Sequence, residues 1–257
     1  MAEHSRFLDI AVSGQIATLT MNRPEKRNAM CDGLLDAIEA FYARPPQGVR
    51  VAILTGAGGH YCSGLDLSEH VARDGEGTMR HSRNWHRVMD LIQFGGLVTI
   101  SAMEGAVIGG GLELAAASHV RIAEPSVIFQ LPEGRRGIFV GGGASVRVGR
   151  ILGPDRMTEM MLTGRKYGAE EGLRLGLCHY AVGAGEATVL ARELAEKVAA
   201  NAPLANHVMI QAIARIADMS RADGLFAESL CAALTQTSDD AAEGLRAFLE
   251  KRTPSFR

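Results

Sequence analysis

The chain has 257 residues, 47% hydrophobic and 22% charged, with a formal net charge of −2 at pH 7. That is ordinary for a globular protein and argues against a disordered chain or a coiled coil. A near-neutral charge lacks the basic excess expected of a nucleic-acid binder, and no apolar run approaches the roughly 18 residues that span a bilayer.

The opening MAEHSRFLDI has an early acid and no cationic stretch ahead of an apolar one. A cytoplasmic location is therefore expected, with neither nucleic acid nor membrane as a partner. Cys31, Cys62, Cys178 and Cys231 are widely spread with no C-x-x-C, and the eight histidines form no H-E-x-x-H. His81 and His86 are five apart, which is not a metal-ligand spacing on one helical face. No disulfide framework and no metal site are expected; the cysteines read as buried thiols and the histidines as surface imidazoles.

Residues Phe7–Val12 and Gln15–Met21 are β-prone runs split by Ser13-Gly14, a hairpin pattern. From Ala29, helical spacing links Leu34, Leu35, Ile38, Phe41 and Tyr42, with Asn28 as the predicted N-cap and Pro45-Pro46 as the stop. Val49–Thr55 is a buried strand, and Gly56–Asp66 a loop with four glycines. Met79–Phe94 reads as a helix whose apolar face holds Trp85, Val88, Met89 and Ile92. Leu97–Met103 is a second buried strand, Leu112–Ala117 a helix, and His119–Ala123 and Ser126–Leu131 strands. After Gly143 the chain is mainly helical. From Ala187 to Glu250, breaks near 201–203, 219–223 and 237–238 separate three or four helices, with Thr237-x-x-Asp240 as a capping box before the last. The alternation argues for an α/β core followed by a helical tail, with a boundary near residue 200.

Gly109-Gly110-Gly111 lies between a strand and a helix, where backbone approaches a ligand closely and unpaired N–H groups face it. An oxyanion is stabilised at such a place, and Glu113 in the first turn is within reach. The continuation Leu-Glu-Leu excludes a Walker A loop, G-x-G-x-x-G is not met, and G-x-S-x-G is absent. A tight turn without function is the competing reading of the glycines. Two further segments follow strands: Gly56 to Leu67, and Phe129-Gln130-Leu131-Pro132-Glu133 with Gly141-Gly142-Gly143 beyond it.

Five segments together carry a family pattern: Met21-Asn22-Arg23-Pro24 with Asn28-Ala29-Met30; Cys62 to Leu67; Gly109 to Ala115; Gln130-Leu131-Pro132-Glu133; and Leu162-Thr163-Gly164 with Ala169-x-x-Gly172. From about Ile16 onward the chain resembles the enoyl-CoA hydratase/isomerase (crotonase) superfamily. The resemblance implies an α/β fold, a crotonase-like spiral of repeated ββα units with a helical C-terminal region. Residues 1–200 would form the core with the coenzyme A and catalytic site, and residues 201–257 a helical oligomerisation region. A homotrimer or a hexamer, as a dimer of trimers, is implied.

The implied activity is addition of water across the C2=C3 bond of a trans-2-enoyl-CoA. The N–H groups of Leu65 and Gly110 would hold the thioester oxygen. Glu113 and Glu133, 20 residues apart, would hold the water, with the division of acid and base steps left open. Gly141 matches the position that orients that water. Coenzyme A would be bound by the backbone of Leu65, Asp66 and Leu67, by Ala29, Ser63, Gly109 and Pro132, and by Lys26 and Arg27 for its phosphates; plain surface charge is the other reading of those two cations. No cofactor is implied, since coenzyme A is part of the substrate. Cys62 and Ser63 have no histidine placed to activate them and read as turn residues.

Three departures bear on the substrate: Val140 stands where proline is common, Arg135 and Arg136 where apolar residues are usual, and Ser68 where lysine is common. The helix around Trp85, the only tryptophan, is either a wall for a bulky acyl group or an amphipathic cover. The alternatives are a hydratase-lyase for cinnamoyl- or feruloyl-type thioesters, an isomerase or C–C hydrolase of the same superfamily, and a non-catalytic acyl-CoA-binding protein.

Overall fold

The structure, a computed structural model, describes residues 6–68 and 73–256; the first five residues of the N-terminal stretch lie outside it, as do 69–72 and 257. A hairpin opens the chain, β1 (Leu8–Ser13) paired antiparallel with β2 (Ile16–Met21). It turns at Gly14, whose φ of 60° suits the left-handed region. Three longer strands, β3 (Val51–Gly56), β4 (Val98–Met103) and β6 (Val120–Ala123), add in parallel, and a short β8 (Tyr180–Ala181) completes the sheet. The spatial order is β1-β2-β3-β4-β6-β8. β3 and β4 are buried along their whole length, as their unbroken apolar runs require.

A second, smaller layer was not anticipated as a sheet. β5 (Ala106–Ile108) pairs in parallel with β7 (Ile128–Gln130). Isolated bridges extend this row through Met30–Leu65, Cys62–Val107 and Phe129–Tyr167. Each long strand is therefore followed by a short extended segment and then by a helix. β2 leads to Met30 and α1 (Asp32–Ala43), β3 to Cys62–Leu65 and α2 (Gly75–Phe94), and β4 to β5 and α3 (Gly110–Ala117). β6 leads to β7, a 3₁₀ turn over Glu133–Arg136, and α4 (Ala144–Leu152). These are the repeated ββα units expected. Of their short segments only β7 falls in an expected strand, Ser126–Leu131; the others, at three residues or one bridge, are too brief to stand out by periodicity.

Two apolar clusters hold the layers. Leu19, Met21, Leu34, Leu54, Val107 and Phe129 lie in the main core. On the opposite face of the large sheet, Ile16, Val51, Ile53, Ile100 and Ile122 meet α7 (Ala187–Ala199). That helix buries Ala187, Ala191, Ala195 and Ala199, a strict four-residue spacing of small side chains that lets its backbone approach the sheet. α5 (Pro154–Thr163) and α6 (Ala169–Leu175) precede it, and α8 (Pro203–Ile216), α9 (Arg221–Gln236) and α10 (Asp239–Leu249) follow. The predicted breaks fall where the structure has them.

Two caps differ from expectation. α1 starts after Cys31, and Asn28 is no cap; its φ is 55° and its side chain bonds other loops. The last helix is capped by Ser238, which accepts from the Ala241 N–H, while the Thr237 hydroxyl turns back to the Ala233 carbonyl. Serine one position later provides the same oxygen with the extended backbone that a cap requires. Three histidines are also not surface imidazoles. His119, His60 and His179 accept the N–H groups of Thr99, Ala106 and Arg121, at the starts of β4, β5 and β6. Burial pushes His119 below its ordinary range and His179 down to about 4, so both are neutral acceptors.

Candidate active site

The site is assembled at the carboxyl ends of the short segments, where open α/β layers place their ligands. Asn28 stitches the first two loops together. Its Oδ1 accepts from Arg23 N at 2.9 Å, and its Nδ2 donates to the carbonyls of Ala57 and His60 at 2.9 and 2.6 Å. Asparagine tolerates the left-handed backbone found here. Arg23, buried beside it, donates to the Ala29 carbonyl at 2.6 Å and to Asp66 at 2.9 Å. Burial alone would raise the Asp66 carboxyl, but hydrogen bonds from Ser68 and Arg23 outweigh it and hold the group at about 2. The Asp66 side chain is thus a strut for the loop.

This framework places Leu65 next to Gly110. Gly64 has a φ of 91°, and a Cβ there would lie 2.7 Å from the Ile108 carbonyl and 3.1 Å from Gly110 N. A Cβ on Gly110 would lie 3.5 Å from Leu65 N and 2.8 Å from the Trp85 ring. Neither Leu65 N–H nor Gly110 N–H has an acceptor among the described residues. Gly110 is buried and Leu65 half-buried; two donors left unmet at such a spot are uncommon in native structures, and the first turn of α3 adds its positive end there.

Both glutamates face the same space. Glu113, 4% exposed, accepts through Oε1 from Gly142 N at 2.8 Å and Ala144 N at 3.0 Å, the latter opening α4. Burial raises its pKa, against those backbone donors and the charge of Arg147. Glu133 is 8% exposed, and its Oε2 has no hydrogen-bond partner. Burial and then the charge of Glu113, opposed by its own N–H and Arg136, push it up to about 7. A Cβ on Gly109 would lie 2.9 Å from Glu133 Oε1, and one on Gly142 would lie 2.5 Å from Glu113 Oε2. Both carboxylates therefore require bare backbone opposite them.

A cavity of about 920 Å³ joins these parts. Glu113, Glu133, Leu65, Gly110 and Gly141 all line it. So do Ala29, Ser63, Asp66, Leu67, Gly109 and Pro132, and at its mouth Lys26 and Arg27. Lys26 donates to Ser68 at 2.7 Å, whereas the Arg27 side chain is exposed with no ion pair among the described residues. Ser63 Oγ donates to the Lys26 carbonyl, and Cys62 is buried with its thiol pushed up to about 12 by burial, so both are turn residues as expected. No cluster of metal-ligating side chains occurs among the described residues, and no helix among them is long and apolar enough to cross a membrane.

Trp85 packs as an amphipathic cover and also borders the cavity. It is buried with Val88, Met89 and Ile92, and its ring edge also lines the cavity against Gly110 and Gly142. Arg135 is tied to the Thr163 carbonyl at 2.7 Å, and Arg136 lines the cavity beside Glu133. Sequence reasoning passed over Ala144 and Arg147, which act on Glu113, and Ser82, which bonds the Gly141 carbonyl. The one signal was a serine three residues before Trp85 on the inward stripe of α2.

The family profile described as Enoyl-CoA hydratase/isomerase matches residues 11–257. Enoyl-CoA hydratase EchA19 of Mycobacterium tuberculosis is 32% identical over 249 residues, covering 95% of this chain and 94% of that protein. The (E)-benzylidenesuccinyl-CoA hydratase of Thauera aromatica is 32% identical over 261 residues, covering 96% and 98%. A crystal structure from Rhodopseudomonas palustris, of a protein carrying an enoyl-CoA hydratase designation, superposes with a TM-score of 0.94 at 46% identity, covering 96% of each chain. On the profile, the relatives and the shared crotonase fold, the chain belongs to the enoyl-CoA hydratase/isomerase family.

Proposed function

We propose that the protein adds water across the C2=C3 bond of a trans-2-enoyl-CoA. The observation that carries this reading is the unequal pair of buried glutamates beside two unmet N–H groups. The thioester oxygen accepts from Leu65 and Gly110 N–H. Glu113, supplied with backbone donors that favour its charged form, takes a proton from water as the water oxygen bonds to C3. The C2=C3 electron pair moves toward the thioester, and the resulting enolate rests on the two donors. Such preorganised donors lower the barrier by about 3–4 kcal/mol each. Glu133, whose pKa is pushed up to about 7, retains a proton near neutrality and delivers it to C2. Solvent exchange then returns the two carboxyls to their starting states. Gly141 N–H, on the cavity wall, orients the water.

Coenzyme A lies along Ala29, Ser63, Asp66 and Leu67, with its phosphates toward Lys26 and Arg27; Gly109 and Pro132 line the reacting end. The helical C-terminal region assembles the chain as a trimer or a dimer of trimers. Supporting this, Phe226, Leu230 and Leu234 of α9 and Phe248 of α10 are more than half exposed in the single chain. Light scattering of the purified protein tests the assembly.

A second substrate reading rests on Trp85 at the cavity wall: an aromatic acyl group stacked near the ring, with hydration alone or hydration followed by retro-aldol cleavage. The Thauera aromatica relative's name places an aromatic thioester in this family. Product analysis with crotonyl-CoA and feruloyl-CoA decides. A 3-hydroxyacyl product from crotonyl-CoA supports the first reading, and an aldehyde from feruloyl-CoA the second. No turnover of either contradicts both.

A further inference from the structure

We propose that Ser82 is a positioning residue for Glu113, acting with Arg147 by gripping the carbonyls of two consecutive glycine peptides whose N–H groups face that carboxylate. The inference deepens the hydratase reading and rests on it for its kinetic consequence.

The peptide between Gly141 and Gly142 is one rigid plane, with its C=O and N–H pointing opposite ways. Ser82 Oγ donates to the Gly141 carbonyl at 2.6 Å on one side of that plane. On the other side the Gly142 N–H donates to Glu113 Oε1 at 2.8 Å. Fixing the carbonyl fixes the direction of the N–H. The next peptide repeats the arrangement, with Arg147 Nη1 donating to the Gly142 carbonyl at 3.4 Å and the Gly143 N–H adding to the field that favours the Glu113 carboxylate. Donors on both carbonyls also polarise the N–H groups.

The clamp has a physical reason. A Cβ at Gly142 would lie 2.5 Å from Glu113 and 2.8 Å from Trp85, so the close approach demands glycine. Three glycines in a row lack the side chains that normally restrict peptide rotation. The restriction comes instead from α2. Along one stripe of that helix, Ser82 holds Gly141, His86 Nε2 lies 3.4 Å from the Ser82 oxygen, and Asp90 and Gln93 hold Arg147 at 2.5 and 2.7 Å. The Ser82 hydroxyl spends its hydrogen on Gly141, so its oxygen accepts from His86.

Several charged or titratable groups share this environment: Arg147 and Arg150 on α4, Asp90, His81 and His86 on α2, and Glu133 and Arg136 beyond β7. Loss of the Ser82 grip frees His86 Nε2, touches none of the other groups and removes one oriented donor from Glu113.

The test is an isotope-edited infrared titration of the Glu113 carboxyl in the full-length protein, its band assigned by difference from Glu113→Gln. The expected result is a Glu113 midpoint raised by about one pH unit in Ser82→Ala, and the acidic limb of the kcat profile for crotonyl-CoA moved to higher pH by the same amount with KM within about twofold. Ser82→Thr, which keeps the hydroxyl, restores both; Ser82→Cys, a weaker donor, falls between. A wild-type midpoint in Ser82→Ala overturns the proposal. The infrared readout needs no turnover, so an inert wild type sinks the hydratase reading while the clamp is still judged by the midpoint.

Discussion

Glu113 and Glu133 face one cavity with opposite hydrogen-bond supply: two backbone N–H groups meet Glu113 Oε1, and Glu133 Oε2 meets none. Burial disfavours the charge of both; Glu113 has several backbone donors to set against it, whereas Glu133 has only its own N–H and leaves Oε2 unmet.

The first prediction concerns stability. The Glu133 carboxyl has an ordinary value of 4.5 and is pushed up to about 7 in the fold. Between those values the native state holds a proton that the unfolded chain has released, so Glu133 makes stability fall as pH rises through that window. Glu133→Gln carries no such charge. It is expected to be more stable than wild type by about 3 kcal/mol at pH 8, with the gain vanishing near pH 4. Urea unfolding at both values checks this, and a destabilised variant at pH 8 contradicts it.

Asp66 behaves in the opposite sense. Its carboxyl is held at about 2, so its contribution is present above the ordinary value of 3.8 and is lost as pH falls through about 2. Asp66→Asn removes the carboxylate that Ser68 and Arg23 bond and is expected to cost about 2 kcal/mol at pH 7. Chemical unfolding against wild type should show that gap at pH 7 and a narrowing gap at pH 2. A loss below about 1 kcal/mol at pH 7 contradicts the strut role.

Backbone approach at the site is tested at Gly111. A Cβ there would lie 2.1 Å from the Cys62 carbonyl, whereas one on Gly168 meets nothing within 4 Å. Gly111→Ala forces the two loops apart and is expected to cost about 3 kcal/mol and to weaken crotonyl-CoA binding; Gly168→Ala changes stability by less than about 1 kcal/mol. Equal melting temperatures for the two variants contradict the close packing.

The parts legible in the sequence are those set by local pattern. The 3.6 period put Trp85, Val88, Met89 and Ile92 on one face of α2, and unbroken apolar runs marked β3 and β4. The five family segments placed Leu65, Gly110, Glu113 and Glu133, which line one cavity. Long-range geometry was not legible. β7 lies within the strand expected at Ser126–Leu131, but β5 is three residues, too short for any period to show, and their pairing was not foreseen. Asn28 looked like a cap because asparagine favours caps, yet its partners, the carbonyls of Ala57 and His60, lie about 30 residues away in the chain. Histidines 60, 119 and 179 were misread for the same reason, since each bonds a backbone N–H far from it in the chain. Ser82 gave only a weak signal, because a serine acquires its importance from the peptide it grips.

The most direct test of the account is hydration of crotonyl-CoA, followed by loss of the conjugated thioester absorbance, for wild type, Glu113→Ala and Glu133→Ala. The account predicts turnover by the wild type and a loss of at least about 100-fold in kcat for each variant. An inert wild type, or a Glu113→Ala variant with wild-type kcat, contradicts it.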